Sequence, residues 1–135
     1  MKAKLINFLF FSDLHGIRFL LGFAEILWGI TLLLPGDTFG RPTYSVMRSF
    51  ATEELWAVVF ISMGILQWSI LASRQYHSRI AIVFSAVNAI FWCFITCAMY
   101  ISVTPIPSAI SGETALAVGA SWVFIRTGIR RHADD

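Results

Sequence analysis

The chain has 135 residues, of which 57% are hydrophobic, 15% aromatic and only 13% charged. A soluble domain carries about 25% charged residues, so this chain has too few to cover a surface in water, and the solvent it expects is lipid. Its formal net charge of +2 is small, and the distribution of that charge says more than the sum.

Residues 1–11 place Lys2 and Lys4 ahead of a short apolar centre, as a signal peptide does. Ser12-Asp13-Leu14-His15 follows where a small-x-small cleavage site would stand, so the segment reads as retained. It is expected to be a short helix lying in the membrane interface. Ser12 or Asp13 can cap the next helix, whose span is expected over residues 17–34. That run is almost wholly apolar, is stopped by Pro35-Gly36-Asp37, and carries Glu25 near its middle. An ionisable group at mid-span costs roughly 2.5 kcal/mol or more, so it is rarely accidental.

Residues 35–54 form the longest loop. Pro42 can start a short helix over residues 43–50, which would place aromatic side chains at headgroup level. Thr52 caps the next helix, with Glu53 and Glu54 in the first turn where acids suit the dipole. The second span is expected over residues 55–72, the third over 80–102 and the fourth over 108–127. The fourth is the weakest, being rich in Gly, Ala and Ser. The fold class is therefore all-α: one domain over residues 1–135, an integral membrane four-helix bundle with a short N-terminal interfacial helix.

Four spans put both termini and the loop at residues 73–79 on one side. That side holds Lys2, Lys4, Arg18, Arg74, Arg79, Arg126, Arg130 and Arg131, against Arg41 and Arg48 on the other. The asymmetry predicts cytoplasmic termini by the positive-inside rule, in a bacterial inner membrane. Arg74, Arg79, Arg126, Arg130 and Arg131 form a cytoplasmic basic face suited to anionic lipid or to an acidic partner. Nucleic acid is not an expected partner, since no aromatic-studded soluble surface accompanies these charges.

Lipid offers no hydrogen bonds, so intramembrane polar groups turn inward and pair. Glu25, Gln67, Asn88 and Ser121 each fall at or just to the cytoplasmic side of mid-span and are expected to share one layer, with Glu25 bonded to Gln67 or Asn88. One reading of this layer is that it only fixes helix register. The other is a proton- or cation-binding site. Gly22 and Gly29 flank Glu25 on one helix face and are expected to admit a close neighbour. Gly112, Ala115 and Gly119 give the fourth span a similar small-residue spacing.

Cys93 and Cys97, four apart in an apolar run, read as apolar fillers rather than a disulfide or metal pair. No Ser/His/Asp set, phosphate-binding loop or paired carboxylate stands at one depth, so neither enzyme chemistry nor a cofactor is expected. A faint echo between Glu25-Ile26-Leu27-Trp28-Gly29 and Glu53-Glu54-Leu55-Trp56-Ala57 joins different depths, which a structural repeat would not do.

The run from Leu21 to Gly29, followed by Pro35-Gly36-Asp37-Thr38-Phe39 and Glu54-Leu55-Trp56, resembles small four-span membrane proteins encoded in tailed-phage genomes. The resemblance covers roughly the first half of the chain and implies a membrane location but no activity. The function expected is non-enzymatic: assembly with itself or with a membrane partner, superinfection exclusion being one such task. A small transporter, channel or holin-like pore using the Glu25 layer is the alternative.

Overall fold

The computed structural model describes residues 13–36, 38–73, 79–102 and 110–134, without the side chains of Asp13, Ile110 and 129–134. The expected interfacial helix over residues 1–11 lies outside the described residues, as does Arg74. Every element among the described residues is helical. The long helices are α1 (Asp13–Leu33), α3 (Glu53–Ser73), α4 (Arg79–Ser102) and α5 (Ile110–Asp134). Between α1 and α3 lie a 3-10 turn, Pro42–Tyr44, and the short α2, Ser45–Phe50. Pro42 opens the turn, where its fixed φ suits a helix start and its missing N–H is not needed. Thr52 caps α3, its hydroxyl accepting from the Leu55 N–H at 3.4 Å.

Three of these helices, Leu14–Leu33, Glu53–Ser73 and Arg79–Ser102, are long and apolar enough to cross a membrane. Their outward faces carry Phe23, Leu27, Ile30, Val58, Ile65, Val83, Val87 and Ile90, all exposed. Apolar surface spread along every helix suits contact with lipid. α5 is not among the three. Its helix runs on to Asp134, past the expected end of the fourth span at residue 127.

Two seams order the packing. α1 and α3 run antiparallel and touch backbone to backbone. A Cβ on Gly64 would lie 2.6 Å from the Gly22 carbonyl oxygen, and one on Gly29 would lie 2.8 Å from the Ala57 carbonyl oxygen. Only glycine admits such an approach. α4 runs parallel to α1, since Arg18 meets Ser85 and Glu25 meets Trp92, each pair 67 positions apart. α5 returns antiparallel to α4, with Thr96 bonded to the Glu113 carbonyl near one end and Thr127 meeting Arg18 near the other.

The loop between α1 and α3 folds back over the helix ends. The indole N–H of Trp56 donates to the Met47 carbonyl at 3.0 Å, and Met47 is fully buried. Phe39 stacks on Tyr44 at 5.7 Å between ring centres, Tyr44 meets Trp28 edge-on at 5.8 Å, and Trp28 stacks on Phe60 at 5.6 Å. Phe60 touches both Phe91 and Trp92. This aromatic plug closes the interior at the loop end. Burial, reinforced by the nearby Glu113 charge and partly offset by Arg41, holds the Tyr44 phenol above its ordinary pKa.

Candidate functional site in the helix interior

Three of the four long helices turn a polar stripe inward, and α3 adds the single buried Gln67. On α1, Arg18, Gly22, Glu25 and Gly29 share a face by helical spacing and all are buried. On α4 the stripe is Ser85, Asn88, Trp92 and Thr96, and on α5 it is Glu113, Ala117, Ala120 and Thr127, again all buried. Arg18, Glu25, Gln67, Ser85, Asn88, Thr96, Glu113 and Thr127 are the buried polar side chains among the described residues. They form a column rather than a single layer. Its span along α4, from Ser85 to Thr96, is about 16 Å at 1.5 Å per residue.

At one end of the column Arg18 is fully buried. Its Nη2 donates to Ser85 Oγ at 3.0 Å and to Thr127 Oγ1 at 2.9 Å. Both hydroxyls donate onward to their own helices, Ser85 to the Ala81 carbonyl and Thr127 to the Val123 carbonyl. Their protons are thus committed, and their lone pairs are turned to the guanidinium. One planar cation ties α1 to α4 and α5 together.

Glu25 lies seven residues on, about 10 Å along the helix. Trp92 Nε1 donates to Glu25 Oε1 at 3.1 Å, and the Asn88 side chain also faces the carboxyl. Glu25 Oε2, Asn88 Oδ1 and Gln67 Oε1 are buried without a hydrogen-bond donor among the described residues. Glu113 Oε2 is likewise buried without a donor among the described residues, so four orphaned acceptors are spread along the column, which is unusual because buried polar atoms are nearly always paired. Arg18 does not offset a charge on Glu25. At about 10 Å and an effective dielectric of about 20 the attraction is about 1.7 kcal/mol, below the several kcal/mol that burying a charge costs.

The expected layer is corrected in two places. Ser121 is only half-buried and its hydroxyl donates to the Ala117 carbonyl of its own helix, as small hydroxyl side chains on helices do. Gln67 is buried, but the Gly22–Gly64 and Gly29–Ala57 pairings set it level with Phe19, about 9 Å along the axis from Glu25. Asn88 is the expected partner that stands beside Glu25. Trp92, an indole in an apolar run, supplies its hydrogen bond.

The packing residues divide in the same way. Gly22 and Gly29 sit in the tight seam, together with Gly64. A Cβ on Gly112 would meet nothing within 4 Å, and one on Gly119 would make only ordinary contacts with Ile17 and Leu21. Ala115 is exposed. Gly112 and Ala115 therefore meet no neighbouring helix among the described residues, because the inward face of α5 is the one bearing Glu113, Ala117, Ala120 and Thr127.

Of the expected basic face, Arg79 is exposed and Arg126 is half-buried, its guanidinium 5.5 Å from the centre of the Trp122 ring. The side chains of Arg130 and Arg131 lie outside the described residues. Arg18 belongs to the interior, not to the surface charge count. Its spacing of four and seven residues from Gly22 and Glu25 was the signal for this. Cys93 and Cys97 are free and exposed on α4. Cys93 borders an apolar groove with Ala117, Val118, Trp122 and Ile125. Comparison with protein families, with curated proteins and with solved structures finds no match to this chain.

Proposed function

We propose that the chain is a four-span membrane protein of a bacterial inner membrane, with both termini cytoplasmic, that moves or senses a small cation through its polar column. α5 lies alongside α4 from Thr96–Glu113 to the Arg18–Thr127 contact, so it shares the depth of a helix suited to spanning. Its low hydropathy fits that position. Glu113 and Thr127 are buried, while Ala115, Val118, Trp122, Phe124 and Ile125 face outward. The function rests on one observation, the buried acceptor oxygens of Glu25, Asn88 and Gln67. A helix interior that only needs register is better served by apolar or fully paired groups.

Two experiments test this reading. A cytoplasmic fluorescent reporter fused to the C-terminus should be active and a periplasmic phosphatase fused there inactive; the reverse overturns the four-span topology. In vesicles holding the purified protein and a proton- or sodium-sensitive dye, the wild type should dissipate an imposed gradient faster than protein-free vesicles. Equal rates overturn the cation reading.

A second reading is favoured by the outward placement of Gly112 and Ala115 on α5. There the protein would work by assembling with itself or with a membrane partner, superinfection exclusion by a phage-encoded product being one such role. Expression in a host separates the two: membrane depolarisation supports the cation reading, whereas normal growth with altered phage sensitivity supports assembly.

A further inference from the structure

We infer that the groove between α3 and α4 binds one anionic phospholipid, with Arg79 on its phosphate and one acyl chain lying between the two helices. The inference needs α3 and α4 to lie in a membrane and is independent of what the polar column carries.

The groove follows from how the four long helices pair. α1 packs backbone-close on α3 and on α5, and α4 packs so on α5, whereas α3 and α4 hardly approach one another. Near the loop between α1 and α3, large rings bridge that gap: Phe60 meets Phe91 at 5.1 Å and Trp92 at 5.7 Å, and Trp56 meets Phe91 at 6.0 Å. Toward the other end the gap stays open as a groove of about 460 Å³. Met63 and Leu66 of α3 line it, with Ile80, Val83, Phe84 and Val87 of α4, and Arg79 stands at the end where α4 begins. Met63 and Phe84 are half-buried, whereas Leu66, Ile80, Val83 and Val87 are exposed, so the groove opens sideways to lipid.

Its length suits one leaflet. Val87 lies eight residues after Arg79, about 12 Å along α4 at 1.5 Å per residue. On α3, Leu66 and Met63 precede the last residue, Ser73, by seven and ten positions, about 10 and 15 Å. Half of a hydrocarbon core is about 15 Å. An acyl chain in the groove therefore ends near mid-membrane while its headgroup stands level with Arg79.

Charge names the occupant. Arg79 is exposed and is the one charged side chain among the described residues lining the groove. Its planar fork matches phosphate oxygens. An anionic headgroup leaves the phosphate charge uncancelled, whereas a zwitterionic one sets an ammonium beside it. The acyl chain gains little by exchanging lipid for the groove, so the headgroup does the selecting. A larger groove of about 620 Å³ beside Ile90, Cys97 and Phe124 has no charged residue on its wall and offers no such contact.

Native mass spectrometry of the purified full chain in detergent tests this, with phosphatidylglycerol or phosphatidylcholine of identical acyl chains titrated in. One phosphatidylglycerol per chain should be retained, half-saturating at about fivefold less added lipid than phosphatidylcholine, the pull of one arginine on an anionic headgroup. Arg79→Gln should remove that preference. Val83→Trp, which fills the groove from an exposed position, should lower retention of both lipids. Equal retention of the two lipids by the wild type overturns the inference, as does a preference that persists in Arg79→Gln or retention unchanged in Val83→Trp. A lipid-free dimer that Val83→Trp breaks gives the groove to a second copy and likewise overturns it. The wild-type comparison needs no variant, so misfolding of either one leaves the outcome decided. A phosphatidylglycerol preference without gradient dissipation in vesicles overturns the cation reading alone.

Discussion

One stripe on α1 serves two seams built on opposite principles. Toward α3 it offers Gly22 and Gly29, and the contact is backbone against backbone with no side chain to spare. Toward α4 and α5 it offers Arg18 and Glu25, which reach across to hydroxyls, an amide and an indole. The first seam is held by shape. In lipid, where apolar burial between helices gains little over lipid contact, close van der Waals fit is what holds helices together. The second is held by directional bonds and leaves acceptors over. The difference teaches where specificity and where chemistry reside: the glycine seam has no capacity to bind anything, and the polar seam has more acceptors than it needs for holding helices.

The sharpest way to break the shape-held seam is Gly64→Val. Its Cβ would meet the Gly22 carbonyl and the Ile26 backbone nitrogen at 2.6 and 3.1 Å, and backbone cannot step aside as a side chain can. The expected loss is about 3 kcal/mol or more, read as collapse of the unfolding midpoint in a detergent titration. A near-wild-type midpoint would mean that α1 and α3 are not in contact at this point.

Next in size is Arg18→Ala in the polar seam. It removes a fully buried side chain and the donor that bridges Ser85 and Thr127. A loss of about 2–3 kcal/mol is expected, from the cavity and from the lost charged hydrogen bonds. Arg18→Lys should recover only part of it, because a single ammonium cannot reproduce the planar fork. Full recovery by Lys would show that charge, rather than the bridging geometry, holds α1, α4 and α5 together.

The aromatic plug comes third. Trp56→Phe keeps the ring stack on Phe94 but removes the bond to the Met47 carbonyl. About 1 kcal/mol is expected, and the loop at residues 38–52 should be cut faster by added protease while the long helices stay protected. Unchanged cleavage would mean that aromatic stacking alone pins the loop.

Much of this was legible in the sequence, for physical reasons. Apolar runs bounded by Pro, Gly and charge set the helices; α3 spans residues 53–73 where residues 55–72 were expected, and Pro42 does begin the short helical stretch ending at Phe50. Glu25 between two glycines announced an inward face. What was not legible depends on how helices are staggered and rotated. Comparing depths by counting from the middle of each span assumes no stagger, and the glycine seam displaces Gln67 from Glu25 by about 9 Å. Small-residue spacing names a close-packing face without saying which neighbour it meets, so Gly112 looked like Gly22. Arg18 was counted as surface charge because it lies near a span end, although its spacing from Glu25 set it on the buried stripe. Trp92 was missed because an indole in an apolar run looks like bulk until a carboxylate is found beside it.

The smallest expected effect separates the two functional readings. Gly112→Val adds an isopropyl group where no described residue lies within 4 Å of the new Cβ, so the isolated chain should change by less than about 0.5 kcal/mol. Gly22 shows the contrast, since a Cβ there would sit 2.6 Å from the Trp68 ring. If the outward strip of α5 is a docking face, the same change that leaves the monomer intact should disrupt its assembly, because bulk at a small-residue strip holds two helices apart. The measurement is a pair: unfolding midpoint in detergent, and oligomer size by cross-linking in native membranes. An unchanged midpoint with lost cross-links would place function at the α5 surface. An unchanged midpoint with unchanged cross-links would leave lipid as the neighbour of that strip, and the polar column as the part of the molecule with work to do.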